Sequence, residues 1–148
     1  MTTPFLAITT AVRDALVADP AVVPADSVRR GRPVIAQLSE GSAIFLAAER
    51  ATGKQLDVAG TMTEWDTIVS VHIMARATSG QDAEAAVDPL LAAAWARLYA
   101  MTPPAGALSC VLEPQIAWDA DADGQPVGSA TFMLRVTHHT TGGALAAP

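Results

Sequence analysis

The chain holds a single cysteine, Cys110, among its 148 residues. That excludes an internal disulfide framework and a cysteine-rich zinc site. Aromatic residues are scarce at 5 %. No apolar stretch approaches the ~18 residues that cross a bilayer as a helix. The opening Met1-Thr2-Thr3-Pro4 lacks a basic region ahead of an apolar run, so no signal peptide is expected. Cations are few: 9 Lys and Arg stand against 15 Asp and Glu, a net charge of −6. Phosphate neutralisation needs clustered Lys and Arg, so binding of nucleic acid over the whole surface is not expected.

What is abundant is small. Alanine supplies 31 residues of a chain that is 51 % hydrophobic. Hydrophobic gain scales with buried area at about 25 cal/mol per Å², so the core is expected to be thin and to be completed by neighbouring subunits. The length suits one domain, since domains most often hold roughly 100–150 residues. The composition points to a soluble, non-secreted α+β domain and does not by itself name a function.

Periodicity sets the expected elements. Thr3 can cap a helix whose first position is Pro4, with Phe5, Ile8, Val12 and Ala15/Leu16 at helical spacing and a stop at Asp19-Pro20. Residues 34–38 read as a short edge strand, and residues 44–48 as a better one. Residues 51–64 are polar and read as a hairpin arm or a long loop. From Trp65 to Ala77 one face is apolar and the other mixed, the pattern of a half-buried antiparallel strand. Residues 81–101 are helical, with a short turn expected at 82–87 and the main helix starting from Asp88 as cap and Pro89 in first position. Residues 110–118 form a strand that Pro114 marks as an edge or a bulge, and residues 127–140 a last long strand. The expected architecture is α+β: a single antiparallel or mixed β-sheet with two helices packed on one face, plus the arm. Residues 1–141 would form the domain and residues 142–148 a flexible tail.

The candidate chemistry is sparse. Asp119, Asp121 and Asp123 with Gly124 match the start of a calcium-binding loop, but its twelfth position, normally a bidentate Glu, is Ala130. An acidic hairpin turn is the simpler reading, with a weak, water-rich cation site left open. Glu84 and Asp88 suit the positive end of a helix dipole. His138 and His139 are adjacent on a strand, so they face opposite sides and do not share a metal. Cys110 has no base beside it in sequence and reads as a small buried hydrophobe. Gly53-Lys54 lacks the spacing of a phosphate loop. Arg29, Arg30 and Arg32 place three of the nine basic residues within four positions. That is a positive spot on an acidic body, expected on a loop that meets an acidic neighbour or DNA, or is simply solvated.

Taken in order, these segments resemble a known family. The N-terminal helix leads to Gly31-Arg32-Pro33 and the strand at 44–48, then to the turn Thr52-Gly53-Lys54-Gln55-Leu56-Asp57. The Trp65 strand, an acidic alanine-rich helix and a final hairpin with an Asp-rich turn follow. The sequence is similar to the tail terminators of long-tailed phages, the lambda-type minor tail protein U. That resemblance implies a fold with helices on one side of a sheet. It also implies a structural, non-catalytic virion protein without a cofactor. Such proteins form a hexameric ring at the head-proximal end of the tail tube, stop growth of the major tail tube protein and offer a surface to the head–tail connector or neck protein. DNA passing through the lumen would be a further contact, and no membrane is involved. Assembly would take place in the host cytoplasm.

A ring is a closed head-to-tail assembly, so each subunit needs two different complementary patches. Charge separation makes Arg29, Arg30 and Arg32 one candidate patch and Asp119, Asp121 and Asp123 the other. Two alternatives stay open: another head–tail joining protein, and a small enzyme or ligand-binding domain with a pocket lined by His72, His139 or the acidic turn.

Overall fold

A computed structural model describes residues 3–33, 41–120, 126–142 and 145. The first helix, α1 (Pro4–Val17), starts where the cap signal places it: the Leu6 amide donates to Thr3 Oγ1 at 3.4 Å. Its buried stripe is Ile8, Thr9, Val12 and Leu16. A single 3-10 turn (Ala25–Ser27) leads into β1 (Val28–Arg30). Two long strands follow, β2 (Ser42–Gln55) and β3 (Met62–Arg76), then α2 (Ala83–Tyr99), β4 (Ala107–Ala120) and β5 (Val127–Thr141).

The sheet order is β1-β2-β3-β5-β4. β1 lies parallel to β2, and every other pairing is antiparallel. Both helices cover one face of this mixed sheet, which is the expected α+β architecture. Ile8, Val12 and Leu16 of α1 and Val87, Leu91, Ala94 and Leu98 of α2 share one core with Ile44, Leu46, Val71, Ile73, Phe132 and Leu134. The opposite face carries a smaller cluster of Ala43, Phe45, Met74 and Val127. Arg97 ties the helices together by donating to the carbonyls of Ala15 and Ala18 at 2.9 Å each, and to that of Pro20. The carbonyls ending a helix have no intrahelical partner, and a cation at that negative pole meets both needs.

Two expectations need correcting. Residues 82–87 are not a turn before the main helix. Asp82 is the cap, its Oδ1 accepting from the Ala85 amide at 2.6 Å, and Pro89 lies inside α2. The Gln81 side-chain amide donates to the Ala85 carbonyl at 3.2 Å, the acceptor that Pro89 has no N–H to reach, so that carbonyl is not left unpaired. Arg29 and Arg30 are not on a loop: they sit in β1, at the edge of the sheet. The strand expected at 34–38 lies outside the described residues.

The polar segment at 51–64 is a hairpin arm. β2 and β3 stay paired out to Gln55↔Thr63, with a bulge between Ala48 and Arg50. The bulge brings Gly53 opposite Trp65, and the indole covers the glycine so closely that a Cβ there would meet the ring at 2.9 Å. Pro114 lies where the β4–β5 register shifts between Leu112 and Ile116, as an edge strand with a bulge should.

Candidate functional site

The candidate patches occupy the two borders of the sheet. On one, the Arg30 guanidinium donates to Thr10 Oγ1 of α1 and the Arg29 Nε to the Asp26 carbonyl at 3.4 Å. Arg32 is exposed just beyond, after Gly31, whose amide bonds the Leu46 carbonyl at 2.9 Å and whose φ is 109°. A residue with a side chain rarely adopts that φ, so Gly31 turns the chain off the edge at this point. On the opposite border, exposed Asp119 lies near the end of β4. Asp121 and Asp123 lie outside the described residues.

The register relates the two borders. Arg29 pairs with Phe45, Phe45 with His72, His72 with Thr131, and Thr131 with Ala117. Asp119 is two residues further along β4 than Ala117. The arginines and Asp119 therefore stand at nearly one level, four strand spacings or roughly 19 Å apart. The structure does not bring them together within a subunit; it holds them on opposite sides.

The hairpin tip is the third feature. Leu56 and Val58 are exposed there. Asp57 organises the turn by accepting from the amides of Thr61 at 2.7 Å and Met62 at 3.3 Å, and from the Thr61 hydroxyl. That hydroxyl first, with the Met62 and Thr61 amides, holds the Asp57 carboxyl below its usual range. By sequence this stretch reads as a hairpin arm or a long loop; the strand register makes it a paired hairpin.

The histidines are separated. His138 is only 2 % exposed, and its Nε2 lies 3.0 Å from Thr67 Oγ1. Its Nδ1 has no hydrogen-bond partner, and the ring borders a cavity of about 100 Å³ under the start of α1. Burial pushes its pKa down. Phe5 stacks edge-on against both His138 and Trp65, at 5.1 and 5.5 Å, and the Trp65 indole donates to Thr140 Oγ1 at 2.9 Å. This cluster pins α1 to the sheet. His139 points to the other face and meets Glu64 at 3.2 Å. His72 Nδ1 lies 2.8 Å from Thr131 Oγ1; burial lowers its pKa, Glu49 opposes that and Arg32 adds to it. Burial raises the Cys110 pKa, which disfavours the nucleophilic thiolate. Glu84 and Asp88 face Trp118 across an open hollow of about 580 Å³ at the start of α2. Among the described residues no three His, Cys, Asp or Glu side chains converge on a point where a metal ion would sit.

The fold has counterparts among solved structures. It is similar to a chain in the virion of a native gene transfer agent particle, with a TM-score of 0.61 and 16 % identity over 90 % of this chain and 95 % of that one. It is also similar to the sheath/tube terminator of an extracellular contractile injection system in its extended state, with a TM-score of 0.52 and 14 % identity. That match covers 100 % of this chain and 61 % of the terminator. No family model and no curated protein matches the sequence. At these identities the likeness is one of fold: the chain folds like a component of a virion and like a sheath/tube terminator.

Proposed function

We propose that the chain is a structural virion protein of the tail-terminator type, similar to the lambda-type minor tail protein U. Copies form a ring, hexameric by that resemblance, at the head-proximal end of a tail tube. The ring stops tube polymerisation, presents the surface that the head–tail connector or neck protein joins, and lets DNA pass through its lumen. The subunit works by shape and catalyses nothing. One observation carries this reading: the fold, over nearly its whole length, is shared with a virion component and with a sheath/tube terminator. The charged borders support it. Arg29, Arg30 and Arg32 on one subunit would meet Asp119, Asp121 and Asp123 on the next, and a ring contact needs two different patches of this kind.

The test is electron microscopy of the purified protein, alone and with its tail-tube protein. Closed rings of one diameter, and tubes that stop growing once capped, are expected. A monomer at every concentration that leaves tube length unchanged would overturn the proposal. Rings that bind a connector and ignore the tube would move the assignment to a neck protein.

A further inference from the structure

We propose that neighbouring copies join by strand addition: the outer edge of β2 over residues 48–53 receives residues 107–112 of β4 from the next copy, antiparallel. This rests on the ring reading above and specifies how its subunits touch. β2 is 14 residues long, yet β1 covers its outer side only at Ile44, Phe45 and Leu46. Among the described residues no strand pairs with the remainder of that side. β4, also 14 residues, borders the sheet opposite and, among the described residues, pairs only with β5. Among those residues the sheet thus ends in a long open edge on each side, and such edges are templates for another chain.

Direction and level fit a second copy as the occupant. β2, β3, β5 and β4 alternate in direction, so β4 runs opposite to β2. A rotation about an axis along the strands preserves direction, so β4 of one copy meets β2 of the next antiparallel. Ala51, Thr67, Val136 and Cys110 form one row across the sheet. The two segments therefore stand at one height, as a rotation without rise requires. The Leu56 amide donates to the Met62 carbonyl at 3.0 Å. Alternation along an antiparallel ladder then turns the backbone groups of Gln55, Gly53 and Ala51 outward. The receiving stretch carries Arg50 beside Glu49, while the β4 Glu113 already meets Arg135 of its own subunit at 3.4 Å, so the backbone edges and not a charge match carry this contact. The β4 register shifts at two places: around Pro114, outside residues 107–112, and between Ala107 and Ser109, so residues 109–112 are the regular part of the donating stretch. The same antiparallel course carries Asp119 toward β1 of the neighbour, so strand pairing and the charged borders form one contact.

Hydrogen exchange on rings and on dilute subunits of the unaltered protein tests this. The amides of Ala51 and Gly53 should exchange at least ~10-fold more slowly in the ring. Ala51→Pro removes one outward N–H and leaves the β2–β3 ladder intact, the edge setting in which a strand tolerates proline. It should give a folded subunit by circular dichroism that no longer forms rings. Rings whose Ala51 and Gly53 amides stay unprotected, or Ala51→Pro rings at the normal yield, would overturn strand addition and leave the ring reading standing. Absence of rings in the unaltered protein would instead remove the ring reading itself. If Ala51→Pro fails to fold, the exchange measurement alone decides.

Discussion

Single residues in this chain solve problems that other residues create. Pro89 leaves the Ala85 carbonyl without its helical donor, and Gln81 reaches back from before the helix to supply one. The substitute is a bond from an exposed side chain and recovers little of what the proline loses. Pro89→Ala should therefore raise stability by about 1–3 kcal/mol, read as a shift in the urea midpoint. His138 and His72 act in the opposite direction with pH. Burial holds both below the ordinary value of 6.5, so each stays neutral in the fold while the unfolded chain takes up a proton. The stability they contribute is complete above about pH 6.5 and is lost as the pH falls through that value toward the lower folded pKa. Melting temperature should fall between pH 7.5 and 5.5, and less steeply in His138→Gln. An identical slope in the two proteins would show that His138 does not couple folding to protons.

At the scale of elements, the close approach of α2 to the sheet depends on Gly128. A Cβ there would lie 1.9 Å from the Ala83 carbonyl oxygen, inside the backbone of the helix's first turn. No rotamer change relieves that contact. Gly128→Ala should destabilise the protein by about 3 kcal/mol or more, measured by chemical denaturation. Elements whose signal is local were legible in the sequence. Thr3 and Pro4 announced α1, the alternation through residues 65–77 announced β3, and Pro114 announced the bulge in β4. The start of α2 misled because Asp88-Pro89 carries its own cap signal, and only Gln81 shows how the proline is accommodated. β1 was hidden because three residues, two of them arginine, give no alternation to read. The placement of the charged patches was hidden for a different reason. It follows from β5 inserting between β3 and β4, a long-range pairing that local periodicity does not encode.

Over the whole molecule, the alanine-rich composition yields a single layer of helices on a single sheet whose two borders differ in charge. If those borders meet head to tail, replacing both Arg30 and Arg32 with Glu sets like charges against each other. That double variant should remain folded, since both residues are exposed, and should lose the ring by mass photometry. An unchanged oligomer mass would remove the charged contact from the proposal. Salt should act the same way, more weakly, because the Debye length shrinks to about 3 Å at 1 M. The two ends of the described chain add a practical consequence. Phe5 packs on Trp65, and the Gly142 amide bonds the Thr61 carbonyl at 2.7 Å, so Phe5 and Gly142 both lie toward the β2–β3 turn. Gold labels attached through cysteines placed at Thr3 and Gly142 would decorate the same rim of an assembled particle. They would report one polarity, and which end of a capped tube they mark would reveal how the subunit is oriented along it.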